Sequence, residues 1–241
     1  MLAEIINTSE KMSNFDLEKE TLHAPHMTTL LNAFADSKSF AEMKYLPEIK
    51  SELMEDDTVV DAMAKLIAQS KSLKFLKLGE NLSSASAVTL LRALNGSDSK
   101  ENFTKKPDIN KEGQSFGFDK KGLVVTESLY QFEEVINELA KFIESTVSQS
   151  SPNLRFDTIS SKCVATLLEA YSKQEGSYDH ENLPSIPNKA YSDDEVIEAL
   201  AKLIGKSTAL KSLRFCGNNT RADQIIILLK ALTQSKSCSM F

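Results

Sequence analysis

Tryptophan is absent from this chain, and aromatic residues make up only 7% of its 241 positions. An interior assembled from these residues must therefore be filled by Leu, Ile and Ala. Cysteine is scarce: Cys163, Cys216 and Cys238 are odd in number, widely spaced and free of any Cys-x-x-Cys pairing. That usage excludes a disulfide framework and points to a reducing, cytoplasmic compartment. No stretch approaches the ~20 apolar residues of a membrane span, and the longest apolar run, Ile225–Leu229, is expected to be helical core. Met1–Ile6 has neither a basic start nor a long apolar core, so no secretory signal is expected. A net charge of −6 argues against nonspecific nucleic-acid binding.

Catalytic signatures are missing as well. Gly-x-Gly-x-x-Gly, a Walker loop and Gly-x-Ser-x-Gly do not occur. His23 and His26 flank Pro25 with no third ligand close in sequence, and His180 lies in a polar stretch between Asp179 and Glu181. No metal, cofactor or enzymatic activity is therefore expected. Acidic clusters at Glu52–Asp57, Glu133–Glu134 and Asp193–Glu195 each precede or open a predicted helix. There, negative charge meets the positive end of the helix dipole. Asp57 is expected to cap one such helix, and Ser192 with Glu195 to form a capping box on another.

What the chain does contain is repetition. Thr28-Thr29-Leu30-Leu31-Asn32-Ala33-Phe34 recurs as Val88–Leu94, as Ala165–Tyr171 and as Ile226–Leu232. A second phrase, Met63-Ala64-Lys65-Leu66-Ile67, recurs as Leu139–Ile143 and Leu200–Ile204. Subtracting 61 carries Leu66 and Ile67 onto Ile5 and Ile6, so the first residues share the register. The step from Thr89 to Thr166 is 77, and the surplus of 16 is assigned to a polar inserted loop around 97–114. A fixed period is the mark of an array whose units bury their cores against one another. One elongated domain over 1–241, with a polar tail at 234–241, accounts for the chain.

Periodicity changes character within each unit. Val59, Val60, Met63, Leu66 and Ile67 follow helical spacing, whereas Leu73-x-x-Leu76-x-Leu78 ends on alternation. The latter predicts a short strand with Leu76 and Leu78 inward. Leu73 to Asn81 also spells Leu-x-x-Leu-x-Leu-x-x-Asn, and Leu210 to Asn218 repeats it with Phe215 in one slot. In this the chain resembles leucine-rich-repeat proteins of the ribonuclease-inhibitor-like class. The resemblance implies an α/β horseshoe solenoid, with parallel strands on the concave face and helices on the convex face. Phe40–Tyr45 is then the alternate strand of the first pair, and further strands fall near 113–119 and 178–186.

The same resemblance places Lys44, Lys74, Phe75, Lys77, Arg155, Lys211 and Arg214 on the concave face, with Asp16 the acidic member of the series. A basic stripe in an acidic protein suits a protein partner with an acidic surface, and Phe75 would anchor it. The expected function is non-enzymatic protein–protein recognition by a monomer. An alternative is a bacterial effector delivered into a host cell, suggested by the Lys-, Asn- and Ser-rich surface and the tail from Gln234. Regulation of a GTPase or another enzyme from the repeat surface is a further alternative.

Overall fold

The two recurring phrases carry apolar residues three and four apart, and both fold as α-helices. The computed structural model describes residues 22–37, 46, 49, 51–79, 82–103, 122–146, 159–174, 183, 186–210 and 219–236. Seven α-helices run through them: α1 (Ala24–Asp36), α2 (Asp57–Gln69), α3 (Ser84–Asn95), α4 (Glu133–Ser145), α5 (Ser161–Lys173), α6 (Asp194–Lys206) and α7 (Ala222–Gln234). Among the described residues, strand is confined to β1 (Phe75–Leu78) and β2 (Gly122–Val125). The chain divides into two compact units, 1–129 and 130–241, which are taken in turn.

In the first unit, α2 packs on both α1 and α3. Leu31, Phe34, Val59, Leu66, Ile67, Leu90, Leu91 and Leu94 fill the space between them. Asp56 starts α2 by accepting from the Thr58 amide, so the capping residue lies one position before the Asp57 expected from sequence. Ser83 caps α3 in the same way through the Ser86 amide. β1 and β2 run parallel, with Leu76 beside Leu123 and Leu78 beside Val125. Leu76 and Leu78 are buried while Lys77 is exposed, as alternation requires.

Serine hydroxyls fasten the end of α2 to the turn after α3. Ser97 and Ser99 both donate to the Ser70 carbonyl, at 2.9 and 2.6 Å. The Leu73 amide in turn donates to the hydroxyls of Ser70 and Ser99. All three serines are buried, and the bonds satisfy the Ser70 carbonyl at the end of α2 and the buried Leu73 amide. Asn102 adds a bond to the Lys71 carbonyl. Asp98–Phe103 is a packed 3₁₀ turn with Phe103 buried, while 104–114 lies outside the described residues.

The second unit is a run of four helices in which α4 packs on α5, α5 on α6 and α6 on α7. Helix limits follow the sequence register. Moving α5 by 61 (from 161 to 222) gives α7, and moving α4 by 61 (from 133 to 194) gives α6. Across the chain, moving α1 by 137 (from 24 to 161) gives α5, and moving α2 by 137 (from 57 to 194) gives α6. Asp193 caps α6 through the Glu195 amide, and Ser192 instead donates to the Lys189 carbonyl. That corrects the expected capping box: a side chain reaches the first-turn amides from the residue just outside the helix, which here is Asp193.

These observations overturn the horseshoe. The described residues belong to the all-helical class, in which helix packs on helix and strand is limited to one four-residue pair. The leucine-rich-repeat resemblance, the solenoid with a concave row of parallel strands and the α/β assignment are all corrected by that architecture. The physical reason lies in where the leucines go. Leu66, Ile67, Leu90 and Leu91 in the first unit, and Leu167, Leu168, Leu203 and Ile204 in the second, are buried between helices. They do not form a layer beneath a continuous sheet. Among the other expected strands, 40–45, 113–119 and 154–156 lie outside the described residues. Leu183, Ile186 and Leu210 are described, and none is in a strand.

Candidate interaction surfaces

Of the seven basic and aromatic residues singled out from sequence, three are described. Lys74 directly precedes β1, and Phe75 and Lys77 lie on it. Phe75 is half-buried and Lys77 projects to solvent between the two buried leucines. Lys44, Arg155, Lys211 and Arg214 lie outside the described residues, as does Asp16. Among the described residues, the structure brings Lys74, Phe75 and Lys77 together as a short local patch on one strand of the first unit.

A different surface stands out in the second unit, and sequence reasoning read it as core. Ile226, Ile227 and Leu229 on α7 are exposed at 51%, 40% and 48%. Leu228 and Ala231 on the same helix are buried. On α5 the corresponding positions, 61 earlier, are Ala165, Thr166 and Leu168. Ala165 and Leu168 are buried there, and Thr166 is partly covered. α5 lies between α4 and α6, whereas α7 packs on α6 alone among the described helices that touch it extensively. The signal that could have found this face is the pair of isoleucines at Ile226-Ile227: α5 has Ala165-Thr166 there and α3 has Val88-Thr89, so Thr is replaced by a larger apolar residue.

Ion pairs link neighbouring helices along their outer edges. Lys162 reaches Glu133 at 2.6 Å and Lys173 reaches Glu144 at 3.1 Å, both joining α5 to α4. Lys202 meets Glu169 at 2.8 Å between α6 and α5, and Arg221 meets Asp194 at 2.6 Å between α7 and α6. In the first unit Lys65 meets Asp36 at 2.9 Å between α2 and α1. The charges respond as expected. Hydrogen bonds from Gln224 and Arg221 hold the Asp194 carboxyl below its usual range, and the Lys202 ammonium does the same for Glu169. Glu169 raises Lys202 in return. These pairs are exposed, so their value lies in fixing the relative register of helices more than in stability.

Gln174, at the end of α5, donates to the carbonyls of Ile143 and Thr146 at the end of α4. Lys206, at the end of α6, donates to the Gln174 carbonyl. Helix ends are thus tied to one another as in the first unit, by different side chains.

The remaining candidates are structural in their surroundings. His23 and His26 hold their rings 6.4 Å apart at the start of α1, and no group of three potential metal ligands occurs among the described residues. Cys163 is a buried free thiol in the first turn of α5; Cys216 and Cys238 lie outside the described residues. Burial alone pushes the Tyr130 hydroxyl well above its ordinary value. No helix among the described residues is long and apolar enough to cross a membrane. No family model matches the chain, and no curated protein does so either.

Proposed function

We propose that the protein is a non-enzymatic recognition module that binds another protein through an exposed helix face. The observation that carries this reading is the apolar face of α7, where three large aliphatic side chains on one helix meet solvent. Grouped exposed aliphatics of this kind mark interaction sites on folded proteins. An amphipathic helix is the natural occupant, since the helices of this unit pack on one another, α5 on both α4 and α6. Lys74, Phe75 and Lys77 offer the first unit a separate contact suited to an acidic partner. A reducing compartment suits the buried thiol of Cys163.

Proximity labelling with the intact chain and with Leu229→Glu tests the reading. The variant is expected to lose a defined set of neighbours while keeping the helical circular-dichroism signal of the parent. Identical neighbour sets for the two proteins would remove α7 as the recognition surface. Lys74→Glu with Lys77→Glu, made together, asks the same question of the strand patch.

A further inference from the structure

We infer that the α7 face is occupied by a second copy of this chain, through the segment Leu2-Ala3-Glu4-Ile5-Ile6. This rests on the recognition reading above and names the partner. The starting point is what covers the equivalent face of α5. There α6 packs on α5, Ala165 and Leu168 are buried, and Lys202 of α6 pairs with Glu169 of α5 at 2.8 Å. Moving 61 residues onward, the position of Glu169 on α7 is occupied by Lys230, which is exposed. The sign of the charge is reversed while the apolar positions are kept and enlarged.

A segment that fits α7 must therefore resemble α6 in its apolar residues and carry an acid where α6 carries Lys202. In register, α2 has Lys65 at that position and α4 has Lys141. Both would set a lysine against Lys230, a like-charge contact that disfavours them. The remaining occurrence of the phrase is residues 2–6, and there the position holds Glu4, flanked by Leu2, Ala3, Ile5 and Ile6. Charge complementarity thus selects that segment from among the chain's own sequences.

Such a contact joins two different surfaces, so each copy offers an α7 face to one neighbour and a residue 2–6 segment to another. Contacts of this head-to-tail kind build rings where the rotation closes and open chains where it does not. Lys230 against Glu4 sets the register, and Ile226, Ile227 and Leu229 supply the apolar contact.

Sedimentation velocity of the full chain across a wide concentration range provides the test. The mass is expected to rise above that of the monomer with concentration. Lys230→Glu alone and Glu4→Lys alone should each weaken association by about tenfold or more, since each sets like charges together. An equimolar mixture of the two variants should recover it, because the new acid at 230 meets the new base at position 4. A wild-type protein that stays monomeric at every concentration overturns this inference. The recognition reading survives that result if Leu229→Glu still loses its labelled neighbours. Association that ignores both charge reversals, or that fails to recover in the mixture, also overturns it. Association that survives Leu229→Glu removes the α7 face from both readings.

Discussion

Helices α5 and α7 are the same element in two settings. They share length and register, and both carry a Leu-Leu pair followed two residues later by Ala, at Leu167-Leu168 and Ala170 and at Leu228-Leu229 and Ala231. α5 lies between two helices, so Leu168 is fully buried, whereas α7 has a helix on one side and leaves Leu229 half exposed. The difference shows that an apolar position in a repeated phrase records which faces neighbours can cover. Whether a given copy is core or contact surface depends on what packs beside it.

The largest expected effect separates the two leucines. Leu168→Ala should cost about 2–5 kcal/mol, because it opens a cavity between packed helices. Leu229→Ala should cost no more than about 0.5 kcal/mol in dilute solution, as an exposed substitution away from packing. Urea denaturation of both variants checks the pair, and equal losses would erase the distinction.

Helix ends give the next contrast. Gln174 bonds two carbonyls of the neighbouring helix end, while its counterpart Ser235 donates to Leu232 of its own helix. Gln174→Ala is expected to cost about 1–3 kcal/mol, since it strips partners from groups at a buried position. Ser235→Ala should cost roughly a third of that or less. Thermal unfolding of the two variants side by side measures the ratio.

The pH dependence sharpens the comparison at the α6–α7 junction. Asp194 has its folded pKa lowered by Gln224 and Arg221, so its contribution is present above the unfolded carboxylate value. That contribution is lost as pH falls below the ordinary carboxylate range and through the lowered folded value. Asp194→Asn should therefore melt below wild type at neutral pH, and the gap should close in acid. A gap that widens on acidification would contradict the assignment.

The smallest effect belongs to the α5–α6 ion pair. A double-mutant cycle on Lys202 and Glu169 should give a coupling of about 0.2–1 kcal/mol that shrinks with added salt.

The helices were legible in the sequence because their apolar spacing is strong and recurs with fixed offsets. The strand at Leu76 and Leu78 was legible through its alternation. The error came in building a solenoid sheet from that strand. A Leu-x-x-Leu-x-Leu run specifies an inward pair of leucines, but the backbone partners that make a sheet come from elsewhere, and β1 finds a single one in β2. The serine bonds at Ser70, Ser97 and Ser99 were invisible because a small polar residue after a helix reads as an exposed turn. Only packing reveals that it is buried and bonded across elements. Lys77 projects to solvent between buried neighbours, as the alternation at Leu76 and Leu78 implies. The α7 face was missed because Ile225–Leu229 looks like core in any hydropathy reading, whereas among the described helices only α6 packs extensively on α7.

Hydroxyl-radical footprinting of the native chain in dilute solution tests most directly whether α7 is an uncovered copy of α5. Strong modification at Ile226, Ile227 and Leu229, with Ala165 and Leu168 protected, is the result this account predicts. Protection of Leu229 as complete as that of Leu168 would contradict it.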